Sequence, residues 1–246
     1  PAQLQRPRPT DHRGLDPARL FVGLVTGQAA RDIFQRQARQ DRHRGADGAA
    51  GSHHQTLAVY RLLESLRAKH PSVEFESCAS GGGRIDHAML QRTERVWTSD
   101  CNDALERQQI QRNISMLVPI EVLGAHIGPP VAHTTGRRHT LAFRGVTAMF
   151  GHLGIEWNLL QAKPHELSAL SEIIAIYKKH RALLHSGNFA RYEVSTVEPQ
   201  SAVAHGVISQ DKREALLCYA QLQTAASLVP APWKVFGLDP HASYAV

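Results

Sequence analysis

With 246 residues, 42% hydrophobic and 20% charged, the chain has ordinary globular composition and can bury a sizeable core. It contains no run of about eighteen apolar residues, so no membrane-spanning helix is expected. Its formal charge of +6 would suit a nucleic-acid binder, but residues 1–55 hold nine Arg against five Asp and no Lys, which is +4 of the excess, so the rest is nearly balanced and no nucleic-acid partner is expected.

Residues 1–51 contain no Glu, Lys, Asn, Tyr, Trp, Met or Cys and are dense in Arg, Gln, Ala and Gly. Their only apolar run is Leu20 to Val25, and Asp32 to Arg44 could form a polar helix. So little core material predicts an irregular or aberrant segment, partly disordered. The start at Pro1 reads as a processed or incomplete chain, and no apolar stretch follows the basic residues to suggest a signal peptide. Thr56 to His70 reads as an amphipathic helix. Val59, Leu62, Leu63 and Leu66 form its stripe, Arg61, Glu64 and Arg67 face outward, and Pro71 ends it.

From Val73 the period becomes two: Val73 and Phe75 alternate with Glu74 and Glu76, a strand breaking at Cys78 into Gly81-Gly82-Gly83. A short helix near His87 to Thr93 follows, then a second strand around Val96-Trp97-Thr98 that delivers Asp100. Asp103 with Glu106 gives a capping pattern for a helix to about Arg112. Ser115 to Ala125 is an apolar run ending in Gly124-Ala125-His126. Pro129-Pro130 opens a loop with His133 and Arg137, Leu141 to Met149 reads as a helix, and Gly151 to Trp157 as a last strand and loop. Pro164 to Ser186 is the clearest helix, with Leu167, Leu170, Ile174 and Tyr177 as its stripe and Gly187 as its stop. This β-α-β-α alternation predicts a parallel sheet or barrel, whose sites form at the carboxyl ends of strands. After Asn188, short strands at Tyr192 to Ser195, Val203 to Ile208 and Ala215 to Leu222 suggest a small antiparallel sandwich. The organisation read is therefore 1–51, 52–187 and 188–246.

Three Cys without close pairing suit a reducing, cytoplasmic compartment. Fifteen His invite a metal reading, yet no His-Glu-x-x-His or Cys-x-x-Cys spacing occurs, and His133 and His139 are six apart, so no metal and no cofactor are expected. A Gly-x-Ser-x-Gly elbow is also missing.

Cys78-Ala79-Ser80-Gly81-Gly82-Gly83-Arg84-Ile85-Asp86, followed by Trp97-Thr98-Ser99-Asp100-Cys101-Asn102-Asp103-Ala104-Leu105-Glu106-Arg107, closely resembles the bacterial α-galactosidases of glycoside hydrolase family 36. The likeness continues through Gly124-Ala125-His126, through His133 to Arg137 and through Phe150 to Glu156, covering about Gly51 to Val246. The resemblance implies the C-terminal half of a (β/α)₈ TIM barrel followed by a small β-sandwich. It implies a retaining hydrolase that removes terminal α-galactosyl groups from oligosaccharides, and a homo-oligomer. By resemblance Asp100 matches the catalytic acid/base, and an indole wall of reduced solvation, Trp97, favours the protonated carboxyl that an acid needs. Cys78 and Gly81 match positions lining the galactose pocket, where Trp97 could stack on the sugar. Arg84 and Asp86 are expected to brace the loop as a pair, and Asp103 to cap a helix or support the site. The family's Lys-Trp-Asp, whose Asp is the nucleophile, occurs nowhere in this chain, and Asn158 stands where relatives often carry Asp. The implied fragment is inactive as given. A non-catalytic galactose-binding module is the alternative reading.

Overall fold

The computed structural model describes residues 51–78, 85–194, 201–224 and 232–246. The expectations for residues 1–50, for Gly81 and for Arg84 with its pairing to Asp86 lie outside the described residues. The chain divides into two compact units, Pro1–Glu74 and Phe75–Val246.

In the first unit, helix α1 runs Ser52–Lys69, four residues further upstream than the periodicity indicated. The Thr56 hydroxyl donates to the Ser52 carbonyl (3.0 Å), so Thr56 lies inside the helix rather than at its start. Val59, Leu62, Leu63 and Leu66 are partly buried and Ala58 fully so. The expected stripe is present.

The second unit starts with a four-stranded parallel sheet in the order β1-β2-β3-β4. These strands are Glu76–Ser77, Arg95–Trp97, Leu123–Ile127 and His152–Ile155. β1 is shorter than the alternation of Val73 to Glu76 suggested. Its pairing with β2 starts at Glu76–Arg95, and just before it the Phe75 carbonyl accepts from the Glu94 and Arg95 amides. Helices α2 (His87–Leu90), α3 (Ala104–Ile114), α4 (Leu141–Ala148) and α5 (Pro164–Ser186) alternate with or follow the strands.

The registers Glu76–Arg95, Trp97–Gly124, Gly124–His152 and His126–Gly154 decide which side chains share a face. Because successive residues of a strand alternate, these seven lie on one face, while Val96, Leu123, Ala125, Ile127, Leu153 and Ile155 lie on the other. The second face is the apolar one. Val96 and Leu123 join Met149, Phe150, Tyr177, Leu183 and Leu184 in one buried cluster, and Ala125 and Ile127 join Ala148 and Leu170 in another. The first face is polar and is where chemistry can be placed. Within α5, Leu170 and Tyr177 are buried as expected, but Leu167, the fourth residue of the helix, is 41% exposed.

The antiparallel part is a separate three-stranded sheet, β5 (Asn188–Tyr192), β6 (Ala202–Ile208) and β7 (Ala215–Gln221). β5 lies four residues upstream of the strand expected at Tyr192. Its full pairing from Asn188–Ile208 to Tyr192–Ala204 sets that register. Val207 and Cys218 belong to the same buried cluster as Val96 and Leu123, so this sheet shares a core with the parallel one.

His205 of β6 lies at that shared core, its ring 4.6 Å from Phe150 and 5.7 Å from Phe189. Burial, aided by the Arg112 charge, pushes its pKa down from 6.5 to about 4. The fold therefore holds the neutral imidazole while the unfolded chain takes up a proton below about pH 6.5. Stability is expected to be full above that pH and to fall by about 3 kcal/mol towards pH 4, at ~1.4 kcal/mol per unit. Urea unfolding at stepped pH checks this, and His205→Phe is expected to remove most of the slope between pH 6.5 and 4, leaving the part from His185, whose pKa burial also lowers. An unchanged slope in that variant would assign it elsewhere. No helix among the described residues is long and apolar enough to cross a membrane.

Candidate active site

The carboxyl ends of β1 to β4 carry, in turn, Cys78, the loop 98–103, Gly128 and Glu156. Asp100 projects from the loop after β2, exposed, and makes no hydrogen bond or ion pair among the described residues. The loop itself is held from below by Arg107, one turn into α3 and 2% exposed. Its Nε donates to the Cys101 carbonyl (2.8 Å), Nη1 to the Thr98 hydroxyl (2.6 Å) and Nη2 to the Ser99 carbonyl (2.7 Å). The guanidinium thus grips the peptide groups on both sides of Asp100 without occupying its carboxylate, and its carbon lies 4.0 Å from the Trp97 ring centroid. Burial lowers the Arg107 pKa to about 10, against the opposing charges of Cys101, Glu156, Asp100 and Glu76, so it stays cationic at neutral pH.

Trp97 ends β2 and is 7% exposed. Its neighbours are Arg107 and the His126 ring, whose centroid is 4.3 Å away at 31°. The indole has room because Gly124 lies beside it: a Cβ there would come within 3.0 Å of both Trp97 and the Glu76 carboxylate. Cys78 is exposed at the end of β1 and is a free thiol.

Asp103 is the N-cap of α3 and fully buried, its Oδ1 accepting from the Leu105 amide (2.8 Å) and from His139 Nε2 (2.9 Å). The Thr135 hydroxyl and Arg137 Nη1 (3.2 Å) donate to its other oxygen. The expected reciprocal cap does not form, because Glu106 pairs instead with Arg137 at 2.6 Å. Burial by itself raises the Asp103 pKa, but the Thr135 hydroxyl, the Leu105 amide and His139 outweigh it and hold the carboxyl below its ordinary range. Asp103 therefore anchors the 128–140 loop to the helix that carries Arg107. Asp86 caps α2 by accepting from the Met89 amide (2.8 Å).

A second carboxylate stands on the same rim. Glu156 follows β4 and its Oε2 accepts from Asn102 Nδ2 (3.2 Å) and from His126 Nδ1 (3.3 Å). Gly128 lets Asn102 approach, since a Cβ at that position would sit 2.7 Å from Nδ2. Arg107, His126, Thr135, Arg137 and Glu156 lie within the motifs that carry the resemblance, but the motifs assign no site role to them or to His139. Arg107 lies seven residues from Asp100 in an ordinary helix, where nothing in the spacing distinguishes a buried arginine from a solvated one. Among the described residues, no group of three His, Cys, Asp or Glu is arranged to hold a metal ion.

A sequence model of the Melibiase family matches residues 28–187. An Escherichia coli alpha-galactosidase is 44% identical over 201 residues, covering 81% of this chain and 28% of that protein. Alpha-galactosidase AgaA of Geobacillus stearothermophilus is 34% identical over 195 residues, covering 79% of this chain and 26% of the relative. Its crystal structure superposes with a TM-score of 0.72 over 77% of this chain and 26% of that one. Variants of that enzyme solved with raffinose and with stachyose superpose at 0.72 and are 33% identical. The chain spans about a quarter of the length of these relatives.

Proposed function

The chain belongs to the melibiase family, and from that premise we propose that it supplies the second half of an α-galactosidase catalytic domain, barrel strands five to eight, with a β-sandwich after about residue 187. The observation that carries this reading is Asp100, solvent-exposed at the carboxyl end of a parallel strand and projecting from a loop that Arg107 fixes on either side. Retaining glycosidases work with two carboxyl groups roughly 5–5.5 Å apart, one a nucleophile and one an acid/base. Asp100 is the acid/base in this reading. It protonates the departing oxygen of a terminal α-galactoside and later deprotonates the water that releases the sugar. Cys78, Gly81 and Trp97 line the galactose pocket, with Arg84, Asp86 and Asp103 supporting it. The oligosaccharide substrates are of the kind that relatives were solved with, raffinose and stachyose. Three free thiols support a cytoplasmic location, and a homo-oligomer follows the family.

No Lys-Trp-Asp occurs in the chain, so the covalent route is closed and the chain by itself is inactive. Purified chain with a chromogenic α-galactoside is expected to give no turnover above background. Robust turnover abolished by Asp100→Ala would overturn the inactivity and locate a nucleophile within these residues. The missing nucleophile also favours a second reading, a galactose-binding module without hydrolysis. Calorimetric galactose binding that Asp100→Asn leaves unchanged would support that alternative.

A further inference from the structure

We propose that His126 is a hydroxyl-binding residue of the galactoside site, its imidazole oriented by Glu156 so that Nε2 faces a sugar hydroxyl. The inference rests on the galactosidase reading and adds a contact from β3 to those on the first two strands.

His126 is the fourth residue of β3 and lies on the polar face of the sheet, with Trp97 and Gly154. A carboxylate only accepts hydrogen bonds, so at 3.3 Å from Glu156 Oε2 it is Nδ1 that donates, and in the tautomer this selects Nε2 is the acceptor. Glu156 is itself fixed, by Asn102 Nδ2 at 3.2 Å and by its own amide, which donates to the Ile127 carbonyl at 3.1 Å. The ring has little freedom to turn away. Trp97 packs 4.3 Å from it, and a Cβ on Gly154 would come within 2.6 Å of Cδ2 and 2.9 Å of Nε2. The imidazole therefore occupies a slot that exists only because residue 154 is glycine.

Nε2 has no hydrogen-bond partner among the described residues, and the side chain is 19% exposed, so one edge of the ring reaches solvent. An oriented acceptor of this kind suits an alcohol, which donates its O–H to Nε2. It also alters which ring meets the sugar: the imidazole lies over the indole, so Trp97 acts as the shelf beneath it. The competing possibility is that Glu156 and His126 merely tie β3 to β4.

The test is nitrogen-15 NMR of the chain titrated with galactose, beside the Glu156→Gln and Gly154→Ala variants. Galactose is expected to move the His126 Nε2 resonance, and Glu156→Gln to weaken galactose binding about tenfold with the thermal midpoint nearly unchanged. Gly154→Ala is expected to displace the ring and abolish the Nε2 response. If galactose moves the Trp97 indole and the 99–101 amides but leaves Nε2 still, or if Glu156→Gln binds as tightly as the parent, the His126 role is wrong and the galactosidase reading stands. If galactose moves none of these resonances, both fall together.

Discussion

Arg107→Ala is expected to cost the fold about 4 kcal/mol, a large part of the roughly 5–15 kcal/mol that holds a typical domain together. The variant strands three acceptors, the Thr98 hydroxyl and the Ser99 and Cys101 carbonyls, each now bonded to a buried cation. A buried acceptor left without a donor costs about 1–3 kcal/mol, and bonds to charged groups lie at the upper end. The lost stacking on Trp97 adds to this. Arg107→Lys keeps the charge but lacks the planar fork, so about half the loss is expected to remain. Urea unfolding of the three proteins measures the series. A loss under about 1 kcal/mol in Arg107→Ala would show that the loop bearing Asp100 holds its shape without the clamp.

The second large effect is expected at Asp103. Asp103→Ala removes the α3 N-cap, at about 1 kcal/mol, and leaves His139 and Thr135 without their buried acceptor, for roughly 3 kcal/mol in all. Asp103→Asn can keep the bond from the Leu105 amide and is expected to lose less. The two also differ from the parent in acid. The folded carboxyl titrates below its ordinary value, so its contribution is complete above the unfolded pKa near ~3.9 and is lost as pH falls through the folded value. The parent is therefore expected to lose stability more steeply than Asp103→Asn below about pH 4. Equal acid slopes for parent and variant, followed by circular dichroism, would remove Asp103 as the source.

These effects show why much of the architecture, and less of the site, was legible in the residues. The β-α-β-α alternation, the long α5 and the helix cap at Asp103 follow from local periods and capping chemistry, which act within a few residues and so leave a mark in the sequence. The shift of β5 to Asn188–Tyr192 does not, because a strand's limits are set by the neighbour that pairs with it. Helix α3 buries Arg107, Gln108 and Gln111, whose polarity reads as an outward face. Gln108 and Gln111 bond instead to the hydroxyl and carbonyl of Thr147 on α4 (both 2.9 Å), a partner 36 or more residues away.

By itself the sequence determined the order and kind of the elements, the motif around Asp100 and the lack of a Lys-Trp-Asp triplet, since each is a matter of neighbouring residues. Only the tertiary structure decided that Arg107 clamps the Asp100 loop, that Asp103 anchors the 128–140 loop, and that Glu156 aligns His126 over Trp97. Those contacts join residues from different strands and helices. Their geometry comes from the register of the sheet and the burial around it, which no local pattern encodes.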